Sequence, residues 1–292
     1  MIHQSRLILS TTAIVMLSLF SCSKSGTSYN SPSTPVTPVT VTPLPNIKIF
    51  QDTKFGSVIT DSLGKTLYFF SLDAGANSSC SGGCAIAWPV YYNNQLRLGS
   101  NLDSSDFNVI TRTDGSKQTT YKGWPLYYYQ GDAKAGDING DASGSVWFVA
   151  KPDYSVMLLN NILIGNNGIQ YNGSYQPGQE TVQYITDPYG KTLYAFSPDK
   201  FKKNKYTKAD FSNNATWPIY EITSVKSIPS ILDKTAFDTL AVFGKIQITF
   251  KGWPLYYFGP DNLLRGNTKG VSVPTPGFWP IVNLNSTVAP LL

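Results

Sequence analysis

The chain has 292 residues, of which 41% are hydrophobic and 13% aromatic, and its formal net charge is +5. Its one histidine, His3, lies in a segment with the features of a cleaved leader, so the mature protein is expected to contain none. This excludes an imidazole base for a Ser-His-Asp triad and histidine ligands for zinc, copper or haem. Arginine occurs only four times and no basic helix is apparent, which argues against nucleic-acid binding.

The amino terminus has the layout of a bacterial secretory leader. Residues 1–21 contain a basic start at Arg6 and a mainly apolar run, and this run is shorter than the roughly 20 residues of a membrane span. The run ends in Leu19-Phe20-Ser21-Cys22, which resembles a lipobox. The resemblance implies that residues 1–21 are a lipoprotein signal peptide and that Cys22 carries the lipid. The alternative is an ordinary secretory signal with a chance cysteine.

A low-complexity segment follows the leader. Residues 22–46 are mostly Ser, Thr, Pro, Val and Asn, so they cannot bury enough apolar surface to form a core and are expected to be an extended stalk. Ser23 and Lys24 follow the cysteine, with no Asp beside it, which by resemblance to sorting signals favours the outer membrane. The sequence therefore predicts a globular body held at a membrane of the cell envelope by its lipid.

The body is an internal duplication, and each half is itself double. Residues 64–68 (GKTLY) recur at 190–194, and residues 122–128 (KGWPLYY) recur at 251–257. The pattern Leu-Tyr-x-aromatic-x-x-Asp occurs four times and supplies Tyr68, Phe70 and Asp73; Tyr127, Tyr129 and Asp132; Tyr194, Phe196 and Asp199; and Tyr256, Phe258 and Asp261. All six tryptophans follow the same repeat, namely Trp88, Trp124, Trp147, Trp217, Trp253 and Trp279.

The local patterns predict an all-β protein. Apolar and aromatic residues alternate with period two, and turn sequences such as 113–115 (TDG) and 187–190 (DPYG) separate the predicted strands. We expect four quasi-equivalent hairpin-based units in two similar β domains, residues 47–158 and 159–292. The alternative is one closed, propeller-like body of four units. Apolar runs within residues 156–174 predict strands there.

The repeated side chains allow a structural and a functional interpretation. A short acid just after a strand accepts backbone N–H bonds and fixes the loop, whereas the functional reading makes it a ligand-facing carboxylate. Aromatic residues at strand spacing are expected in the core, with a sugar-stacking platform as the alternative. Paired carboxylates for glycoside hydrolysis remain formally open among the four motif Asp residues.

The motifs together resemble the bacterial secreted-repeat lipoproteins, described as predicted lipoproteins with a conserved Yx(FWY)xxD motif. Besides the four motif copies, residues 79–85 (SCSGGCA), 88–89 (WP) and 123–127 (GWPLY) carry the resemblance, which covers about residues 55–283. It implies an envelope location and tandem β units, with no established activity. The second half departs from the cysteine-bearing pattern, because a lysine-rich segment stands there.

Cys80 and Cys84 are the only mature thiols apart from Cys22. Two close cysteines outside the cytoplasm usually form a disulfide, and the intervening glycines allow the small ring to close. A redox-active pair and a metal site are the alternatives, although the spacing is not Cys-x-x-Cys and two thiolates do not complete a zinc tetrahedron.

One acidic segment resembles part of a calcium loop. Asp137, Asn139 and Asp141 alternate as in such loops, but Phe148 stands where an EF-hand has its glutamate. A polar turn is the favoured interpretation, and no cofactor is expected. The sequence thus predicts a non-enzymatic envelope protein that binds a glycan, a peptide or another envelope protein, or has a structural role. The alternative is an accessory to extracytoplasmic redox chemistry through Cys80 and Cys84.

Overall fold

The computed structural model describes residues 43–75 and 77–291. The predicted signal peptide, Cys22 and the stalk up to residue 42 lie outside the described residues. From Pro43 onward the chain forms one compact unit. The end of the predicted stalk already contacts this unit, because the Asn46 side chain donates to the Gln95 carbonyl at 2.7 Å.

The first half contains seven short strands. Each forms where β-branched or aromatic residues alternate with polar ones. In chain order they are β1 (Ile47–Asp52), β2 (Gly56–Asp61), β3 (Tyr68–Phe70), β4 (Phe107–Thr111), β5 (Lys117–Tyr121), β6 (Trp124–Pro125) and β7 (Trp147–Val149). The predicted turn at 113–115 joins β4 and β5 as expected, with Gly115 at a φ of 82°.

The second half repeats much of this arrangement. Its strands are β8 (Met157–Ile164), β9 (Gln170–Tyr171), β10 (Thr181–Thr186), β11 (Phe237–Val242), β12 (Lys245–Phe250) and β13 (Trp253–Pro254). The order β11-β12-β13 matches β4-β5-β6 of the first half. The strands predicted within 156–174 are therefore confirmed as β8 and β9.

Among the described residues, helical structure is limited to short segments. The α-helix α1 (Gly83–Ala87) has five residues and was not foreseen in the sequence. Five 3₁₀ turns accompany it, at Ser104–Asp106, Ser143–Ser145, Lys234–Ala236, Gly259–Asp261 and Lys269–Ser272. No helix among the described residues has the length and apolar character needed to cross a membrane.

The sheets are small and antiparallel, which confirms the all-β fold class. Five sheets of two or three strands are formed by the described residues, in the orders β1-β2, β10-β8-β9, β11-β12-β13, β3-β7 and β4-β5-β6. None of these sheets closes into a barrel or has the four strands of a propeller blade. The repeated units are consistent with two β domains.

The two halves share part of their core. The largest cluster of buried residues includes Ile47, Phe69 and Trp124 from the first half and Tyr184 and Tyr194 from the second. Strand β8 pairs with β10 of the second half from residue 157 onward, so the predicted boundary at 158 falls inside this strand. Independent folding of residues 47–158 and 159–292 stays a prediction of the sequence.

Candidate functional site

The repeated Tyr and Asp residues of the first half bind each other across the two units. The Tyr68 hydroxyl donates to Asp132 Oδ2 at 2.6 Å, and the Tyr127 hydroxyl donates to Asp73 Oδ2 at 2.7 Å. Each tyrosine therefore bonds to the aspartate of the other unit rather than to that of its own motif. The two copies of the motif therefore exchange these bonds. In a single copy, the tyrosine hydroxyl and the aspartate carboxylate would both lack their partner.

The second half repeats this exchange with closely similar geometry. The Tyr194 hydroxyl donates to Asp261 Oδ2 at 2.6 Å, and the Tyr256 hydroxyl donates to Asp199 Oδ2 at 2.7 Å. All eight residues are buried. The agreement between the halves shows that the exchange belongs to the repeat itself.

The tyrosine backbones join the same units. The amide of Tyr68 donates to the carbonyl of Tyr127 at 2.8 Å, and the reverse bond measures 3.1 Å. Tyr194 and Tyr256 exchange both bonds at 2.9 Å. Each pair thus forms a two-residue antiparallel bridge with approximate twofold symmetry. This explains why the motif occurs an even number of times.

The second oxygen of each motif aspartate closes the loop that follows it. Each Oδ1 accepts a backbone N–H six to eight residues further along the chain, and the donors are Ser79 for Asp73 at 2.7 Å, Asn139 for Asp132 at 2.9 Å, Lys205 for Asp199 at 2.7 Å and Lys269 for Asp261 at 2.8 Å. The loop-fixing role predicted for these residues is present, whereas the bond to tyrosine was not predicted. With both oxygens bonded inside the core, these carboxylates do not face a ligand.

The remaining motif aromatics form a stack in each half. In the first half, Trp88 and Trp147 lie with ring centroids 3.8 Å apart, Phe70 stacks on Trp147 at 4.0 Å, and Tyr129 stacks on Trp88 at 4.3 Å. Each Trp therefore carries the motif aromatic of the other unit on its outer face. This repeats the exchange between tyrosine and aspartate.

The stack of the second half has the same order. Trp217 and Trp279 lie 3.7 Å apart, with Phe258 at 4.3 Å from Trp217 and Phe196 at 4.3 Å from Trp279. All four stacked tryptophans are buried. The rings belong to the core, which accords with the structural interpretation of the repeat and leaves them unable to form an open sugar platform.

Burial sets the protonation of the four pairs. It raises the pKa of Asp199 to about 7 and that of Asp261 to about 6, although hydrogen bonds to each carboxylate oppose the shift. Burial also raises the pKa of Asp73 and Asp132. The pKa of every motif tyrosine is raised, first by burial and then by its aspartate, so the phenols stay protonated donors.

A further Tyr-Asp bond in each half was missed by the sequence analysis. The Tyr128 hydroxyl donates to Asp61 Oδ2 at 2.9 Å, and the Tyr257 hydroxyl donates to Asp187 Oδ2 at 3.1 Å. Each of these aspartates also accepts the backbone N–H groups of its own turn. The signal was present, because all four residues recur between the halves, but they do not recur between the units within a half.

Cys80 and Cys84 form the predicted disulfide, with their Cα atoms 5.3 Å apart. Cys80 is only 1% exposed and packs in the cluster that contains Trp88 and Trp147. Its carbonyl accepts the Arg112 guanidinium at 2.6 Å. The disulfide therefore holds helix α1 and its tryptophan against the aromatic stack of the first half.

The calcium candidates bond to separate parts of the backbone. Asp137 Oδ2 accepts the Lys134 amide at 3.1 Å, Asn139 Nδ2 donates to the Gly131 carbonyl, and Asp141 Oδ1 accepts the Val149 amide at 2.9 Å. Within residues 43–75 and 77–291 no group of three His, Cys, Asp or Glu side chains is placed to hold a metal ion. The segment has the contacts of a polar turn.

The last two tryptophans occupy different surroundings. Trp124 is fully buried, and its indole Nε1 donates to the Pro188 carbonyl at 2.8 Å, while the Arg265 guanidinium lies 3.9 Å above its ring. Trp253, its counterpart, is only half-buried, and its Nε1 donates to the Thr287 carbonyl at 2.8 Å. The equivalent position is thus covered by the second half in one case and by the end of the chain in the other.

A cleft of about 810 Å³ opens beside Trp253. Tyr175, Glu180, Gln183 and Asn283 line it together with the Trp253 ring. Residues 284–287 form one wall. The cleft combines aromatic surface with hydroxyl, amide and carboxylate groups, which is the mixture that small-molecule and glycan sites present. Sequence reasoning did not find it, because Trp253 differs from Trp124 only in what covers it.

This arrangement defines an all-β protein built from paired copies of one repeat. Residues 50–91 and 108–151 match a family described as a secreted repeat of unknown function. Both matches lie in the first half of the body and confirm there the resemblance stated from the sequence. The family indicates an extracytoplasmic location. No curated protein and no solved structure matches the chain.

Proposed function

We propose that this chain is a lipid-anchored protein of the cell envelope, held at the outer membrane, whose duplicated body has a non-enzymatic binding role. The observation that carries the proposal is that the repeated Tyr, Asp and Trp residues are buried and bonded to one another, so the repeat builds a scaffold. Ligand binding is then expected at a surface that differs between the two halves. The cleft beside Trp253 is that surface.

The lining of the cleft favours a glycan or a peptide as the ligand. The partly exposed Trp253 ring offers a stacking face, and Glu180, Gln183 and Asn283 offer donors and acceptors around it. Glycans of the cell envelope present both an apolar ring face and a rim of hydroxyl groups. A short peptide would use the same amide and carboxylate groups through its backbone.

A ligand screen tests the binding role. Thermal shift and titration calorimetry with peptidoglycan fragments, neutral glycans and short peptides at millimolar concentration are expected to give a ligand that stabilises the protein. Trp253→Ala should remove this shift, whereas Tyr92→Ala, which removes an exposed aromatic outside the cleft, should retain it. A screen without any stabilising ligand, or equal loss in both variants, would count against the proposal.

Lipid attachment has its own test. Cys22→Ala should abolish incorporation of a labelled fatty acid and release the protein from the membrane fraction. Cys80→Ala should leave the label in place. If the Cys22 variant still carries lipid, the anchor is elsewhere.

A further inference from the structure

The Lys-Gly-Trp hairpin of the first half is a docking point for the second half. Trp124 Nε1 donates to the Pro188 carbonyl, Lys122 Nζ donates to the Pro152 carbonyl at 3.0 Å, and the Lys122 carbonyl accepts Arg265 Nη2 at 2.9 Å. Pro188 lies in the turn 187–190, which projects from the second half onto this hairpin. The Trp124 donor and the Lys122 acceptor thus meet the second half, while the Lys122 side chain meets Pro152 near the end of the first half.

The equivalent hairpin of the second half is met by the end of the chain, residues 284–291, which we call the C-terminal tail. Trp253 Nε1 donates to the Thr287 carbonyl at 2.8 Å, and Lys251 Nζ donates to the Leu284 and Ser286 carbonyls at 2.7 and 2.8 Å. The Lys251 carbonyl accepts the Ala289 amide at 2.9 Å. The same two donors and one acceptor are therefore satisfied, but by the tail.

The tail is held by these bonds and by the Phe201 amide, which donates to the Pro290 carbonyl at 2.9 Å. Ala289 is its one buried side chain, at 2% exposure, whereas Val288 and Leu291 point into solvent. A segment with so little buried apolar surface opens at low free energy compared with the core. The tail resembles a removable cover more than an integral strand.

The first half carries an unoccupied copy of the turn that docks. Residues 61–64 have the construction of residues 187–190, because Asp61 and Asp187 each accept two backbone N–H groups of their turn and Gly64 and Gly190 both have a φ of 81°. Leu63, the counterpart of Tyr189, is 75% exposed. The Ser62 carbonyl, the counterpart of that of Pro188, accepts only the exposed Lys48 Nζ.

The side chains at the free turn and at the last hairpin complement each other. In the internal contact the Tyr189 hydroxyl donates to Asp106 Oδ1 at 3.1 Å, so a polar residue meets a polar residue. The counterparts of this pair are Leu63 and Ala236, which are both apolar. A Leu63 side chain brought to Ala236 would bury apolar surface without leaving a polar group unpaired.

We propose that the last hairpin is a docking surface for a second copy of this chain, whose turn 61–64 takes the place of the C-terminal tail. The tail then occupies this docking surface and keeps the protein monomeric. Because the two surfaces of such a contact differ, association would be head to tail and would extend beyond dimers unless the ring closes. The docking surface includes Trp253 and the tail residues 284–287, which also line the ligand cleft. Leu63 lies outside the cleft lining, so a change at Leu63 tests docking without altering the cleft.

The test uses the body from Pro43, which is a compact unit in itself. Two variants release the tail: truncation after Asn283, and Ala289→Asp, which places a charge at a buried position of an intact chain. In sedimentation velocity the unaltered body should stay monomeric at micromolar concentration. Both released variants should show a weight-average mass at least twofold higher that rises with concentration.

A matched pair of substitutions distinguishes specific docking from non-specific association. Leu63→Arg in the released background should restore the monomer, whereas Ile86→Arg, at a site that is 70% exposed on helix α1, should leave association unchanged. Folded released variants that stay monomeric, or equal association with both arginines, would overturn the proposal. If release of the tail unfolds the protein, the unaltered body is measured at several hundred micromolar instead. Association that is removed by Leu63→Arg but not by Ile86→Arg supports docking. A body that stays monomeric at this concentration refutes it.

Discussion

The loops after the first motif of each half differ in sequence but are held in the same way. In the first half the loop contains the disulfide, and its Ser79 amide binds Asp73; in the second half the loop is rich in lysine, and its Lys205 amide binds Asp199. Both aspartates also accept a tyrosine from the other unit. The comparison teaches that the motif fixes the ends of the loops and leaves their content free to vary.

A second contrast concerns what covers the repeated tryptophan of the hairpin. Trp124 is sealed by the second half, while Trp253 meets the tail and a cleft. Two copies of one repeat therefore acquire different surfaces because different segments cover them. The features that differ between the halves, and not those that recur, are where a specific function is to be sought.

Removing one ring from the aromatic stack should have the largest effect on the unfolding free energy, and this effect should be equal in the two halves. Trp147→Ala and Trp279→Ala each remove a buried ring between two others, and large-to-small changes of this kind cost about 3–5 kcal/mol of unfolding free energy. Trp253→Ala should cost clearly less, because that side chain is only partly buried. Urea unfolding of the three variants measures the difference. Equal losses of unfolding free energy for the Trp253 and Trp279 variants would contradict the different roles of these two rings.

Removing the disulfide should have a smaller effect, confined to the first half. Cys80→Ala combined with Cys84→Ala is expected to lower the unfolding free energy by about 2 kcal/mol, since closing so short a ring restricts the unfolded chain only moderately. Near-ultraviolet circular dichroism should report loosening of the adjacent tryptophan stack. In the intact protein the buried Cys80 should resist mild reductant. Reversible cycling at physiological potentials would instead favour the redox alternative.

The dependence of stability on pH should be the smallest of these effects, and the buried pairs of the second half contribute to it. The folded pKa of Asp199 is about 7 and that of Asp261 about 6, both above the unfolded value near 4. The folded state therefore binds these protons more tightly, and the unfolding free energy should increase, by roughly 1–2 kcal/mol, as the pH falls from about 8 to 6.

Asp199→Asn provides the control for this pH effect. An amide keeps an acceptor for the Lys205 amide and a polar partner for Tyr256, but it cannot titrate. Chemical unfolding at several pH values should give a flatter profile for this variant than for the unaltered protein. A profile that falls toward acidic pH in the unaltered protein would contradict the assigned shifts.

Much of the architecture could be predicted from the sequence, because turns and strands are encoded locally. The turn at 113–115, the strands within 156–174 and the disulfide all follow from neighbouring residues. Helix α1 was missed because its five residues, between Gly82 and the pair Trp88-Pro89, form no amphipathic pattern.

The pairing between motifs could not be predicted in the same way. Repetition reveals which residues are equivalent, but Tyr68 is close in sequence to Asp73 and its partner is Asp132, 64 residues away. The cleft escaped prediction for a related reason. Trp124 and Trp253 have identical neighbours in sequence, and only the folded chain decides which is sealed.

A double-mutant cycle tests the exchange between units most directly. Tyr68→Phe and Asp132→Ala, alone and combined, give the coupling energy of the bonded pair by urea unfolding, and Tyr68→Phe with Asp73→Ala gives that of the pair within one motif. We expect about 1–2 kcal/mol of coupling between Tyr68 and Asp132 and at most about 0.5 kcal/mol between Tyr68 and Asp73. Coupling that is larger within the motif than between the units would contradict this expectation.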